Sequence, residues 1–219
     1  MRKVLATAFV SLDGVMQAPG GPEEDPTGGF TLGGWTFPYW DEAIEQVMGG
    51  IFSVPYELLL GRKTYEIFNA HWPNAKDDPF ADALNNVRKY VATTSQAPLT
   101  WKNSIAIHDV PKDIARLKRE DGPTLMTQGS SDLIQTLLKH DLIDRFTLLV
   151  YPVVLGKGKR LFGTGTMPAT LKLVDSKASP SGVTISTYER AGEVKVGSFA
   201  HAEPSAEELK RRERMKREG

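Results

Sequence analysis

The segment Leu58-Leu59-Leu60-Gly61-Arg62-Lys63-Thr64-Tyr65-Glu66 narrows the folds open to this chain more than any other. It reads as a buried apolar strand that stops at a glycine and turns straight into a helix. A helix N-terminus carries free backbone N–H groups and a partial positive charge. Arg62 and Lys63 oppose that dipole, so their position needs a reason. Two readings stay open. One is a solvated helix start after a buried strand. The other is an anion site, where N–H groups, dipole and side-chain cations converge on one phosphate.

The rest of the chain repeats this alternation. Strands are predicted over Val4 to Val10, Glu57 to Leu60, Arg88 to Thr93, Ser104 to Ile107 and Pro123 to Thr127. Helices are predicted over Tyr39 to Met48, closed by Gly49-Gly50, then over Thr64 to Asn69, Pro79 to Asn86, Val110 to Arg119 and up to His140. Asp109 is the expected cap of the Val110 helix, with Pro111 at its start. After Asp144 the pattern changes to strands: Asp144 to Val153, Thr170 to Asp175 and Val183 to Arg190. Alternation followed by terminal strands predicts an α/β fold of three layers. Its central sheet is mainly parallel, with antiparallel strands added at the C-terminal end.

Gln17 to Gly34 is rich in Gly and Pro and longer than a plain connection needs, so it is functional or mobile. A boundary near Gly192 separates a domain, residues 1–192, from a charged extension, residues 193–219. Helix-spaced pairs such as Glu208 with Arg212 mark that tail as partly helical or disordered, without an apolar stripe to bury.

Composition closes off several functions. There is no cysteine, which excludes disulfides, thiolate catalysis and any cysteine-based metal centre. His108, His140 and His201 have no metal-ligand spacing, so no metal site is expected. The formal net charge is +0, which gives no global attraction to nucleic acid or anionic membranes. No stretch is apolar for long enough to span a bilayer, and a cytoplasmic protein is expected.

Three segments place small or polar residues at the C-terminal end of a strand: Gly61-Arg62-Lys63-Thr64, Thr93-Thr94-Ser95 and Gly129-Ser130-Ser131. Ligands of parallel sheets sit at such ends, where helix N-termini and turn amides hold phosphates. Neither a Walker sequence nor a GxGxxG after the first strand is present.

Taken with Ala8-Phe9-Val10-Ser11-Leu12-Asp13-Gly14 and Tyr151-Pro152-Val153-Val154-Leu155-Gly156-Lys157-Gly158, these segments resemble the dihydrofolate reductase-like superfamily. Within it the chain is most similar to the branch of the riboflavin-biosynthesis reductase domain. The motifs lie in matching order and cover about residues 1 to 190. The resemblance implies an NADPH-dependent reductase. It implies that Arg62 and Lys63 meet the 2′-phosphate region and that Gly61, Thr64 and the helix start meet the pyrophosphate. Thr93, Thr94 and Ser95 would flank the adenine ribose phosphate, and Gly129, Ser130 and Ser131 the pyrophosphate from the opposite side. It also implies a homodimer through the late strands. Where dihydrofolate reductases carry a Gly-Gly pair, this chain has Gly129-Ser130.

On the acceptor side, Asp13 is either a pocket-mouth carboxylate with a catalytic role or an Asp-Gly turn residue. Asp41 and Glu45 lie one helical turn apart. Asp41 is either a catalytic or substrate contact or an N-terminal dipole partner. Trp35, Phe37, Tyr39 and Trp40 would wall a pocket for a flat heterocycle or would pin the loop to the core. The expected reaction is hydride transfer to a small pterin-, pyrimidine- or flavin-like heterocycle, or to a carbonyl compound. The rival reading is a non-catalytic nucleotide-binding or self-association protein that retains the fold.

Overall fold

In a computed structural model that describes residues 1–164, 166–199 and 203–218, the apolar runs pair into one eight-stranded sheet. The strands are β1 (Val4–Ser11), β2 (Tyr56–Gly61), β3 (Lys89–Ala92), β4 (Ser104–Ile107), β5 (Thr124–Gln128), β6 (Arg145–Tyr151), β7 (Leu171–Ala178) and β8 (Thr184–Arg190). Their spatial order is β4-β3-β2-β5-β1-β6-β8-β7. The first six are parallel; β8 runs antiparallel to β6 and β7 to β8. This is the expected three-layer α/β sheet.

The helices are α1 (Glu42–Phe52), α2 (Arg62–His71), α3 (Pro79–Asn86), α4 (Val110–Arg119), α5 (Ser131–Lys139) and α6 (Ala206–Glu218). Alternate residues of a strand face opposite ways, so each strand feeds two cores. Leu59 and the β1 residues Val4, Ala6, Ala8 and Val10 pack with Ile114 and Leu117 of α4 and Leu133, Ile134 and Leu137 of α5. On the other face, Leu58 and Leu60 pack with Tyr65 of α2 and Leu84 of α3. Ile44 and Met48 of α1 pack with Leu149 and Tyr151 of β6. Leu58, Leu59 and Leu60 are all fully buried, as a central parallel strand requires.

Three helix boundaries differ from expectation. Pro38 opens a 3-10 turn, Phe37–Tyr39, and α1 begins only after Asp41. The helix then continues through Gly49-Gly50 to Phe52. Glycine costs about 1 kcal/mol in a helix interior, but Ile51 and Phe52 beyond the pair pack onto the cores and offset it. Helix α2 begins at Arg62, two residues earlier than predicted, because Gly61 is extended (φ −73°, ψ 154°) and serves as its N-cap.

A buried lysine holds one edge of the sheet. Lys89 is fully buried and donates to the carbonyls of Val87 (2.9 Å), Asn85 (3.1 Å) and Lys102 (3.2 Å), with its ammonium 4.2 Å from the Trp101 ring centroid. It thereby ties α3 and the segment entering β4 to β3. Helix α6 buries no residue and carries the expected pairs of Glu208 with Arg211 and Arg212. His201 lies outside the described residues. No helix among the described residues is long and apolar enough to cross a membrane.

Candidate active site

A cleft of about 1280 Å³ opens along the C-terminal ends of the parallel strands. Gly61, Arg62, Lys63 and Thr64 line it after β2, Thr93, Thr94 and Ser95 after β3, and Gly129, Ser130 and Ser131 after β5. The topology explains the convergence. Parallel strands β3, β2 and β5 are neighbours, so the turns leaving them emerge on the same rim.

The capping pattern separates these turns from the others. Helices α1, α3 and α4 are each capped by an aspartate side chain: Asp41, Asp78 and Asp109. Helices α2 and α5 have no side-chain cap. Their first N–H groups are left to the cleft, and both helix dipoles present their positive ends there.

Residues within this rim are pre-positioned. Arg62 donates from Nε to Glu66 (2.6 Å) and from Nη1 to the Ala97 carbonyl (3.2 Å). The Ser95 N–H donates to Thr93 Oγ1 and the Ala97 N–H to Ser95 Oγ, both at 3.1 Å, which tightens the 93–97 turn. Gly129 (φ 67°) and Ser130 (φ 61°, ψ 56°) are both left-handed. Ser130 Oγ accepts the Gly61 N–H at 3.0 Å. The single glycine is therefore enough to shape this turn: the serine adopts the second left-handed position and its hydroxyl joins β5 to β2.

The acceptor-side expectations need correction. Asp13 does not line the cleft. Its carboxylate accepts from Ser11 Oγ (2.6 Å), Leu155 N–H (3.0 Å) and Gly156 N–H (2.8 Å), and Arg160 lies 3.5 Å away. The Ser11 hydroxyl and these N–H groups hold its pKa down to about 2. It clasps the turn after β1 to the loop after β6. Asp41 also stands off the cleft. It accepts from the N–H groups of Ile44 and Ser181, both at 3.0 Å. Burial works against its charge, but Ile44, Ser181 and Ser179 together hold its carboxyl below the usual range.

The aromatic residues divide. Trp40 lines the cleft beside Phe9, ring edge to ring face at 6.0 Å. Trp35, Phe37 and Tyr39 do not line it. Trp35 and Tyr39 pack against the buried Tyr151 ring, and Phe37 is 82% exposed. The Trp35 indole donates to the Gln17 carbonyl at 2.8 Å, so it pins the long loop.

Further residues line the cleft, among them Glu45, the carboxylate one helical turn beyond Asp41. His108 follows β4 and lines the cleft; its Nδ1 lies 2.7 Å from the Thr93 carbonyl, which can only accept, so Nδ1 carries the proton. The strand-end rule that found Thr93 would also have found it. Phe9, Gln17, Glu24, Asp25, Glu45 and Lys159 line the β1 side of the cleft. For Gln17, Glu24 and Asp25, no local signal in the long loop distinguishes cleft residues from solvated ones.

The model of a family described as RibD C-terminal domain matches residues 2–185. YyaP, an uncharacterized protein of Bacillus subtilis (strain 168), is 27% identical over 200 residues, covering 87% of this chain and 96% of YyaP. A candidate riboflavin biosynthesis protein from Shewanella sp. PV-4 has a similar structure: TM-score 0.60, 20% identity, covering 86% of this chain and 99% of that one. Dihydrofolate reductase from Enterococcus faecalis, complexed with NADP(H), superposes with a TM-score of 0.55 at 15% identity, covering 86% and 96% of the two chains. The fold is dihydrofolate reductase-like.

Proposed function

The chain belongs to the RibD C-terminal domain family, and from that membership we propose that it is an NADPH-dependent reductase acting on a small heterocyclic or carbonyl substrate. The observation that carries the reading is the pair of uncapped helix N-termini, α2 and α5, facing one cleft that is also lined by Arg62 and Lys63, in the first turn of α2, and by Thr93, Thr94 and Ser95. Such a rim suits a ligand with two separated phosphate groups. Gly61, Thr64, Gly129, Ser130 and Ser131 would hold the pyrophosphate. Arg62, Lys63 and the 93–95 hydroxyls would hold the 2′-phosphate region. Bound there, NADPH supplies a hydride.

The chain's own part is orientation and water exclusion on the β1 side. Phe9, Trp40 and Met48 give apolar walls against which a flat acceptor would stack. Fluorescence titration with NADPH tests the reading, because Trp40 and Trp72 both line the cleft. Saturable quenching at micromolar NADPH is expected, and its absence would sink the proposal.

A second reading, a nucleotide-binding protein without catalysis, draws on one observation. Asp13 and Asp41, the two acids nominated from sequence, are both engaged in structural hydrogen bonds away from the cleft. NADPH binding without oxidation across carbonyl and pterin acceptors would favour it. The reductase reading includes a homodimer, formed through the exposed edge strand β7.

A further inference from the structure

A hydride acceptor must also gain a proton, and with Asp13 and Asp41 turned elsewhere the donor has to be sought among groups that line the cleft. The acids there are Glu24, Asp25, Glu45, Glu66, Asp78 and Asp132. Glu66 is paired with Arg62, and Asp78 caps α3 through the Phe80 and Ala81 N–H groups. Asp25 is paired with Lys159. Glu45, on α1, accepts from the Trp40 indole at 3.3 Å. Asp132 lies in the first turn of α5, beside the proposed cofactor grip.

Glu24 differs from all of them. Glu45, Glu66 and Asp132 are exposed, whereas Glu24 is not; it forms no ion pair among the described residues, and one carboxylate oxygen, Oε2, accepts the Gly20 N–H, which leaves Oε1 uncommitted to that bond. It is half-buried at the β1 side of the cleft, with Gln17, Ala18 and Pro19 lining the same wall. Burial lifts its carboxyl above the usual glutamate range; the Gly20 and Gly21 N–H groups oppose that, and the neighbouring Asp25 charge adds to it. The loop that carries it is firmly built. A Cβ on Gly33 would sit 2.4 Å from the Gly21 carbonyl oxygen and 2.8 Å from Pro22 Cα, so glycine is needed for the two halves of the loop to meet. Thr36 Oγ1 donates to the Pro19 carbonyl at 2.7 Å, and Gly34 N–H to the Ala18 carbonyl at 2.9 Å.

We propose that Glu24 is the general acid that protonates the acceptor; this rests on the reductase reading above. The Glu24 O–H bond breaks, an O–H or N–H bond forms on the acceptor, and the carboxylate regains its proton from water. The two electrons arrive with the hydride. The long Gly- and Pro-rich loop, pinned by Trp35 and Thr36, is on this account the scaffold of the acid.

The test has two arms. The first is carbon-13 NMR titration of glutamate carboxyls in the full chain without cofactor, with E24Q assigning the resonance and E24D as second variant. A Glu24 midpoint above the ordinary glutamate value of about 4.3 is expected, and one at or below it overturns the proposal. The second is NADPH oxidation with dihydrobiopterin and 9,10-phenanthrenequinone as acceptors. E24Q should lower kcat by about 10²-fold or more while NADPH still quenches tryptophan fluorescence, and E24D should recover part of the loss. Undiminished turnover in E24Q overturns the role of Glu24 alone. A wild-type protein that oxidises NADPH with neither acceptor overturns the reductase reading and this inference with it.

Discussion

Ser130 Oγ accepts the backbone N–H of Gly61 at 3.0 Å, joining the ends of adjacent strands β5 and β2 at the centre of the cleft. The serine holds a left-handed backbone (φ 61°, ψ 56°) to do so. A non-glycine residue there costs roughly 1–2 kcal/mol, while a partly buried N–H left without a partner costs about 1–3 kcal/mol.

Ser130→Ala should therefore destabilise the protein by about 1–3 kcal/mol, because it keeps the backbone strain and removes the acceptor. Ser130→Gly should cost less, because glycine relieves the strain. Urea unfolding checks this through the transition midpoint at unchanged m-value. Equal loss in both variants would mean that the bond, and not the backbone, dominates.

Arg62 is held by Glu66 and the Ala97 carbonyl before any ligand arrives. Replacing Arg62 with Ala should weaken NADPH by about 1.5–3 kcal/mol and NADH much less, since only the former carries a 2′-phosphate. Glu66→Gln should act in the opposite sense, because a phosphate competes with that carboxylate for the guanidinium. Parallel fluorescence titrations of both cofactors decide it. Equal losses for NADPH and NADH would remove Arg62 from the 2′-phosphate site.

Asp13 gives an acid-sensitivity prediction. Its folded pKa is lowered to about 2, against about 3.9 when unfolded. The unfolded state therefore binds more protons between these values. The stability that Asp13 contributes is complete above pH ~4 and is lost as pH falls toward ~2. Asp13→Ala should flatten this part of the pH–stability curve and cost about 2–3 kcal/mol at neutral pH, with NADPH quenching unchanged.

Lys89 tests the sheet edge. Lys89→Met removes the buried ammonium and leaves the carbonyls of Asn85, Val87 and Lys102 without that donor. A loss of about 3 kcal/mol or more is expected from chemical denaturation.

The exposed strand β7 tests assembly. Leu173 and Val174 are 51% and 42% exposed on it. Sedimentation should give twice the 24.1 kDa chain mass, and Leu173→Arg should shift the protein toward monomer. A wild-type monomer at micromolar concentration would remove the dimer from the proposed function.

What could be read from the sequence was local. The apolar run Leu58-Leu59-Leu60 with its glycine stop, the matching turns after Ala92 and Gln128, and the late switch to strands all lie within a few residues of the structure they specify. Strand–turn–helix junctions in a parallel sheet must share one rim, so the convergence of Gly61 to Thr64, Thr93 to Ser95 and Gly129 to Ser131 on one cleft followed from order alone. The acids and aromatics did not. Asp13 finds its partner 142 residues away at Leu155, and Asp41 its partner 140 residues away at Ser181. A carboxylate's role depends on which donors reach it and how much water it keeps, and those are set by long-range packing. The same packing sent Trp35 and Tyr39 onto Tyr151, left Trp40 on the cleft, and placed Glu24 where only the folded chain could half-bury it.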